Sequence, residues 1–400
     1  MSAAVAFAPN RYSRVHLNTA SLNNAPPKPQ VGASLKGYSL HCIIFRTATD
    51  PAMGSGHILV YAFDVLMQIY ESYGHTKRDA AKSIVENNLY GLDIDKRAYQ
   101  LSYFALMMKA RQYNRRILDV HTTSNVFIVQ ESNEINRNHL QYFGIEMNAM
   151  ERNSALLQLN NLLDTFIDAN EYGSILNVEN CNWELLTQFT SNFKLNGQLS
   201  VDIIGIEDTK TKLIQITKVG KALATNYEVV ITNPPYMGSN GMGDKLGAFV
   251  KQNYPNSKMD MFAVFVEKIL CMTKSNHFVA TIIQPSFISL GSFEKLRKQT
   301  LSMGCIETML HMGRGIFGID FGSTSFVQRK STIPNFIGNY SRLHDRTFQF
   351  IDPSDIEKLY LLSKGDKSFT FDFSTYNTTT ENLDENEVSE QSAEIKLFYE

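Results

Sequence analysis

Cysteine is scarce in this chain, with four residues in 400: Cys42, Cys181, Cys271 and Cys305. None stands in a Cys-x-x-Cys pair, so neither a disulfide scaffold nor a metal site is expected, and a reducing compartment suits the chain. Charge of one sign is equally scarce. A formal net charge of −2 and a pI near 6.5 exclude a surface coated in basic residues. A DNA-binding face stays possible, because only the local field over one groove matters. Long hydrophobic runs are missing too: none approaches the roughly 20 residues that span a bilayer. The opening segment, Met1 to Arg14, has no basic residue ahead of its short apolar stretch and does not read as a signal peptide. No internal repeat is visible. These absences predict a soluble, cytoplasmic protein without membrane contact, and 43% apolar residues can build its core.

Residues 1 to about 40 hold little periodicity and a Pro-rich patch at Pro26, Pro27 and Pro29, so they are expected to be poorly ordered. A short apolar run, Cys42 to Phe45, leads into Asp50-Pro51-Ala52-Met53-Gly54-Ser55-Gly56. Beyond the glycines, Ile58, Leu59, Ala62, Phe63, Leu66, Ile69 and Tyr70 recur at helical spacing, with a stop near Gly74. Further helices fit Lys77 to Asn88 and Asp95 to Tyr113, around a strand from Leu89 to Ile94. Residues 118 to 200 read as an insertion before the next core strand. Alternation resumes with a strand at Tyr227 to Ile231, a helix at Met259 to Met272, a strand at His277 to Ile283 and a helix at Ser292 to Leu301. Strands alternating with helices predict an α/β fold with a mostly parallel sheet. The expected organisation is a catalytic domain over 41–330, carrying the insertion, and the start of a C-terminal region over 331–400 with a polar, acidic tail.

Three segments carry chemistry. In the first, Gly54 and Gly56 lack Cβ atoms and let a small molecule lie against the main chain. The helix that follows turns its N-terminus toward that ligand, and Asp50 could hold an ammonium group. An ordinary glycine turn between strand and helix explains the segment equally well when it is taken alone. The carboxylates of Gly91-Leu92-Asp93-Ile94-Asp95 tilt the balance. A carboxylate at the end of the second strand accepts hydrogen bonds from ribose hydroxyls, and Ile94 offers an apolar face to an adenine ring. Asp95 suits the cap of the next helix better than Asp93 does, so the ribose is assigned to Asp93. A nicotinamide fingerprint fails, because His57, Ile58 and Leu59 follow Gly56 where a third glycine is needed.

The third segment, Asn233-Pro234-Pro235-Tyr236, is the most specific. Two prolines fix the backbone and remove its donors, leaving carbonyls and the Asn amide oxygen to accept both hydrogens of an exocyclic amine. Tyr236 supplies a flat face for a base, which must leave a duplex to reach it. A Pro-Pro turn closing a buried strand is the alternative.

In this order, the three segments resemble the amino-methyltransferases that modify adenine in DNA. That resemblance implies a Rossmann-like, S-adenosylmethionine-dependent fold with helices on both faces of the sheet. It implies that Asp50, Ala52, Gly54 and Gly56 line the methionine end of the cofactor, and that Asp93 and Ile94 contact its ribose and adenine. Asn233, Pro234, Pro235 and Tyr236 become the catalytic tetrapeptide. The stretches from Asp50 to Tyr113 and from Val229 to about Lys364, with Arg314 to Ser323 among them, are similar to the PglX-type adenine methyltransferases of the BREX phage-defence system. The implied partners are double-stranded DNA with a flipped adenine and other proteins of such a system. Residues 1–49 hold no match to the helix that closes the cofactor site in the family. Arg46 to Thr49 look too polar for the end of the first core strand, and Asp168 is a candidate for the third-strand acidic contact. No target-recognition region follows Lys364, so the chain is expected to be a piece of a larger enzyme, poor or inactive by itself. Methyl transfer to protein glutamine or RNA, and an inactive binding remnant, are the other readings.

Overall fold

The structure is a computed structural model that describes residues 47–119, 122–193, 202–315, 322–334, 336–344 and 350–371. The N-terminal segment, the Cys42 to Phe45 run, residues 316–321 of the Arg314 to Ser323 run and the acidic tail lie outside these residues. Eight strands form one sheet: β1 Ala48–Asp50, β2 Leu89–Asp93, β3 Asn125–Ile128, β4 Tyr227–Thr232, β5 Thr273–Ile283, β6 Cys305–Gly313, β7 Ser323–Arg329 and β8 Asn339–Arg342. Their order is β3-β2-β1-β4-β5-β7-β6-β8. The first five run parallel, and β7 is antiparallel to both of its neighbours. This is the α/β, mostly parallel architecture expected. From β1 the chain steps outward through β2 and β3, then returns to the other side of β1 for β4. Ligands of such open sheets bind where the order reverses, outside the carboxyl ends of the strands.

Helices cover both faces. On one, α1 (His57–Ser72) buries Leu59, Phe63, Met67 and Tyr70, a stripe at helical spacing. It packs with α2 (Lys77–Ser83) and α3 (Lys96–Tyr113) against Leu89 and Val126. Leu92, which points to the opposite face of β2, packs with α4 (Ala149–Thr165), α5 (Trp183–Ser191) and α6 (Asp202–Ala224). Each such buried Leu or Phe contributes about 1.5–3 kcal/mol. Farther along come α7 (Asp244–Asn253), α8 (Met261–Met272), α9 (Glu294–Met303) and α10 (Ile356–Ser363). Among the described residues no helix is long and apolar enough to cross a membrane.

Three details differ from the sequence reading. Thr47 to Thr49 are not too polar for the core: β1 is an interior strand between β2 and β4, and Thr49 is buried at its middle. The hydroxyl of Thr47 is absorbed by the Glu228 carboxylate, so a threonine there costs little. The segment read as an insertion, 118–200, contains the core strand β3, and the inserted helices begin only after it and continue to Ala224. The expected helix from Lys77 to Asn88 closes with a wider turn over Ile84–Asn88, where buried Asn88 accepts the Tyr70 hydroxyl at 2.9 Å.

Candidate active site

Asp50 ends β1 at the point where the sheet order reverses, with 1% of its surface exposed. Its Oδ1 accepts the Ala52 N–H at 3.0 Å and the Thr232 hydroxyl at 2.8 Å. Its Oδ2 is buried and has no hydrogen-bond partner among the described residues. Burial pushes the carboxyl up to about 7; the Thr232 and Ala52 bonds oppose this, and the charge of Asp93 adds to it. An unpartnered buried carboxylate oxygen is expensive unless a donor arrives.

The turn after Asp50 is built by glycines. Gly54 and Gly56 have φ of +52° and +83°. A Cβ at Gly56 would stand 2.9 Å from the Ser102 Cα, so glycine is required there both sterically and conformationally. Beside Gly54 a Cβ would meet nothing within 4 Å, which leaves the loop open on that side. The loop is tied to β2 by Met53 N–H to Leu92 O at 3.0 Å and by Gly54 N–H to Asp93 Oδ2 at 2.9 Å. The other Asp93 oxygen takes the Asp95 N–H at 2.8 Å. Asp95 caps α3 by accepting the Arg97 N–H at 2.7 Å, the cap expected of it. Ile94 projects into solvent, 51% exposed.

The tetrapeptide leaves the end of β4, next to β1. Asn233 is exposed, Pro234 buried, Pro235 exposed and Tyr236 half-buried. The Tyr236 hydroxyl donates to Ile282 O at 3.2 Å and, more weakly, to Asn233 Oδ1 at 3.4 Å, while its ring meets Phe262 edge-on. Burial, aided by the charge of Asp260, pushes the phenol up to about 12, so it stays protonated. Asp260, absent from the sequence reading, caps α8 at Phe262 N and also accepts Met237 N–H, each at 3.2 Å. It fixes the residue directly after the tetrapeptide. The legible signal for it was an aspartate just before an apolar helix.

The inserted region reaches this edge as well. Ser174 donates to Pro51 O at 2.5 Å, Ile175 packs with Ala52, and a Cβ on Gly173 would lie 2.6 Å from Ile94 Cγ2. Lys268 and Tyr254 hold the same stretch through Leu176 O and Ile175 O. Asp168 is not on the third strand. It follows α4 with φ +55°, pairs with Asn133, and is bound by Lys245 at 2.8 Å, which with Asn133 keeps its carboxyl below the usual range. The carboxylate that does follow β3 at the edge is Glu131, three residues past Ile128. It was missed because the four-residue β3 was not read.

A model of the Eco57I restriction-modification methylases matches residues 87–317, more than half of the chain and a range that holds Asp93, Ile94 and the whole tetrapeptide. The chain belongs to this family. The adenine-specific methyltransferase PglX of Lacticaseibacillus casei (strain Zhang) is 37% identical over 357 residues, covering 88% of this chain and 29% of its own length. The adenine-specific methyltransferase BrxX of Escherichia coli O9:H4 (strain HS) is 36% identical over 286 residues, 67% of this chain and 24% of its own. The chain thus spans less than a third of these curated relatives. Among solved structures, the ATP-dependent Type ISP restriction-modification enzyme LlaBIII bound to DNA is similar with a TM-score of 0.48 and 14% identity, over 84% of this chain and 20% of that one.

Proposed function

We propose that this chain carries the cofactor and catalytic parts of an adenine-specific DNA methyltransferase of a phage-defence or restriction-modification system. Its methyl donor is S-adenosylmethionine and its acceptor the exocyclic amine of adenine. The observation that carries the reading is the meeting of Asp50 and the Asn233–Tyr236 tetrapeptide at the point where the strand order reverses, joined by one hydroxyl from Thr232. The relatives named adenine-specific methyltransferases support it.

The residues fit the cofactor. The unpartnered Asp50 Oδ2 suits its ammonium group, and the open turn of Ala52, Gly54 and Gly56 suits the methionine end. Asp93 retains lone pairs for ribose hydroxyls beyond its two backbone donors. Ile94 offers its exposed face to the adenine ring, and Glu131, three residues past the end of β3, is the candidate for a third-strand carboxylate that contacts the base. When bound, S-adenosylmethionine supplies an electrophilic methyl group. The chain's part is to present the nucleophile. Asn233 Oδ1 and the carbonyls beside Pro234 and Pro235 accept the amine's hydrogens, which releases its lone pair from the ring. Tyr236 stacks on the base after it leaves the duplex. Double-stranded DNA is the proposed partner, with other defence proteins beside it, and residues 41–330 are assigned to the catalytic domain.

The test is transfer of labelled methyl from S-adenosylmethionine by the full-length protein, offered DNA, RNA and a glutamine-bearing protein in parallel. Label in adenine of DNA alone, lost in Asn233→Ala, supports the reading. Label in RNA or glutamine instead overturns the substrate.

A further inference from the structure

We infer that Thr232 is a positioning residue that couples the Asp50 carboxylate to the catalytic tetrapeptide, an inference that rests on the cofactor reading above. Thr232 is the last residue of β4 and immediately precedes Asn233. Its hydroxyl donates to Asp50 Oδ1 at 2.8 Å, and its own carbonyl accepts the Thr281 hydroxyl of β5 at 3.0 Å. Thr232 and Thr281 are 1% and 3% exposed, so neither bond competes with water.

The need for such a tie follows from the tetrapeptide itself. Pro234 and Pro235 bring no N–H groups, so the middle of the loop has no main-chain donor of its own, and the donors of Tyr236 and Met237 pin only its far end. The peptide group entering Asn233 must be held from outside, and Thr281 holds it. Through the other end of the same residue, the ionised form of Asp50 is stabilised by a buried hydroxyl donor. Ala52 N–H is the remaining donor on that oxygen, and Asp93 on β2 is the ionisable group that acts on Asp50 across the turn. One residue therefore acts on both: its side chain on the charge state of the cofactor carboxylate, its backbone carbonyl on the register of the amine acceptor. A merely structural threonine would fill the same volume without needing its hydroxyl.

The experiment is calorimetric titration of S-adenosylmethionine into the chain across the neutral and alkaline range, with circular dichroism as the fold control. The wild type should gain affinity as Asp50 ionises. Thr232→Val should move the midpoint of that gain upward by about one pH unit, the scale of one hydroxyl bond to a charged group. Thr232→Ser should restore it, and Thr232→Ala takes the place of the valine variant should that one not fold. Thr281→Val, which leaves Asp50 untouched, should keep the midpoint. In the full-length protein it should lower kcat for methyl transfer with the KM for cofactor unchanged. An unmoved midpoint in a folded Thr232→Val protein overturns the inference alone. So does a Thr281→Val shift as large as that of Thr232→Val, because general loosening would then explain both. A wild type that binds no S-adenosylmethionine overturns the cofactor reading, and this inference with it.

Discussion

The backbone N–H of Gly54 donates to Asp93 Oδ2 at 2.9 Å, so the carboxylate assigned to the ribose also anchors the glycine turn assigned to the methionine end. A loss of Asp93 is therefore felt at both ends of the proposed cofactor. Asp93→Ala should weaken S-adenosylmethionine binding by roughly 1.5–3 kcal/mol and lower the melting temperature as well. Asp95→Ala should cost about 1 kcal/mol of stability through the lost helix cap, with cofactor affinity retained. Calorimetry on both variants checks this, and equal cofactor affinity in folded Asp93→Ala and wild type would count against the ribose assignment.

Asn233 is exposed and touches nothing of the cofactor turn. Asn233→Ala should leave S-adenosylmethionine affinity nearly intact and remove methyl transfer by the full-length protein, by analogy with oxyanion-hole donors, whose loss costs about 2.7–4 kcal/mol each. Tyr236→Ala should cost about 1–3 kcal/mol in holding the flipped base. Tyr236→Phe keeps the ring and its contact with Phe262, and should lose far less. Single-turnover kinetics separates the two effects. Full activity of Asn233→Ala would overturn the catalytic assignment.

The Asp50 carboxyl is raised to about 7 because burial opposes its charge. The folded chain then holds a proton that the unfolded chain has released, so this group's contribution to stability is fullest below the ordinary aspartate range. It is lost progressively as pH climbs toward neutrality. Asp50→Asn cannot ionise. Its melting temperature, measured against wild type, should improve steadily between mildly acidic and mildly alkaline buffers, while S-adenosylmethionine binding is lost. Cofactor binding by the wild type near neutrality should also release protons, because an ammonium group favours the ionised form. Parallel melting curves of the two proteins at every pH would exclude a buried, proton-holding Asp50.

Legibility from sequence followed the chemistry of each segment. Where glycines and carboxylates mark strand ends, turn and helix were readable at Asp50 to Gly56, and strand and helix at Gly91 to Asp95. β1 was misjudged because hydrophobicity is a poor guide to a strand of three residues whose entering threonine, Thr47, finds an acceptor in Glu228 across the sheet. The inserted helices were unreadable for a different reason. In α4, Met150 and Leu157 face solvent while Ala155 and Leu159 are buried, so the apolar stripe is blurred by exposed apolar residues. Asp260 and Thr232 matter through partners distant in sequence, and no spacing rule announces that Thr232 will meet Asp50.

The approach of the inserted region to the first two strand ends yields a last prediction. Gly173 has φ +59° and ψ −140°, a conformation that costs other residues about 1–3 kcal/mol. An added Cβ would also press on Ile94, whose exposed side is assigned to the adenine ring. Gly173→Ala should therefore displace Ile94 and weaken any ligand that carries the adenine. Methylthioadenosine has the adenosine but not the charged methionine end, so it reports on that half of the site alone. On Gly173→Ala, methylthioadenosine and S-adenosylmethionine should lose affinity by similar factors, on the order of tenfold for about 1.4 kcal/mol. On Asp50→Asn, only S-adenosylmethionine should suffer, because its ammonium group is the one that loses a partner. Titration of both ligands into both variants gives four affinities. Unchanged methylthioadenosine binding by a folded Gly173→Ala protein would place the adenine elsewhere and detach the inserted region from the cofactor site.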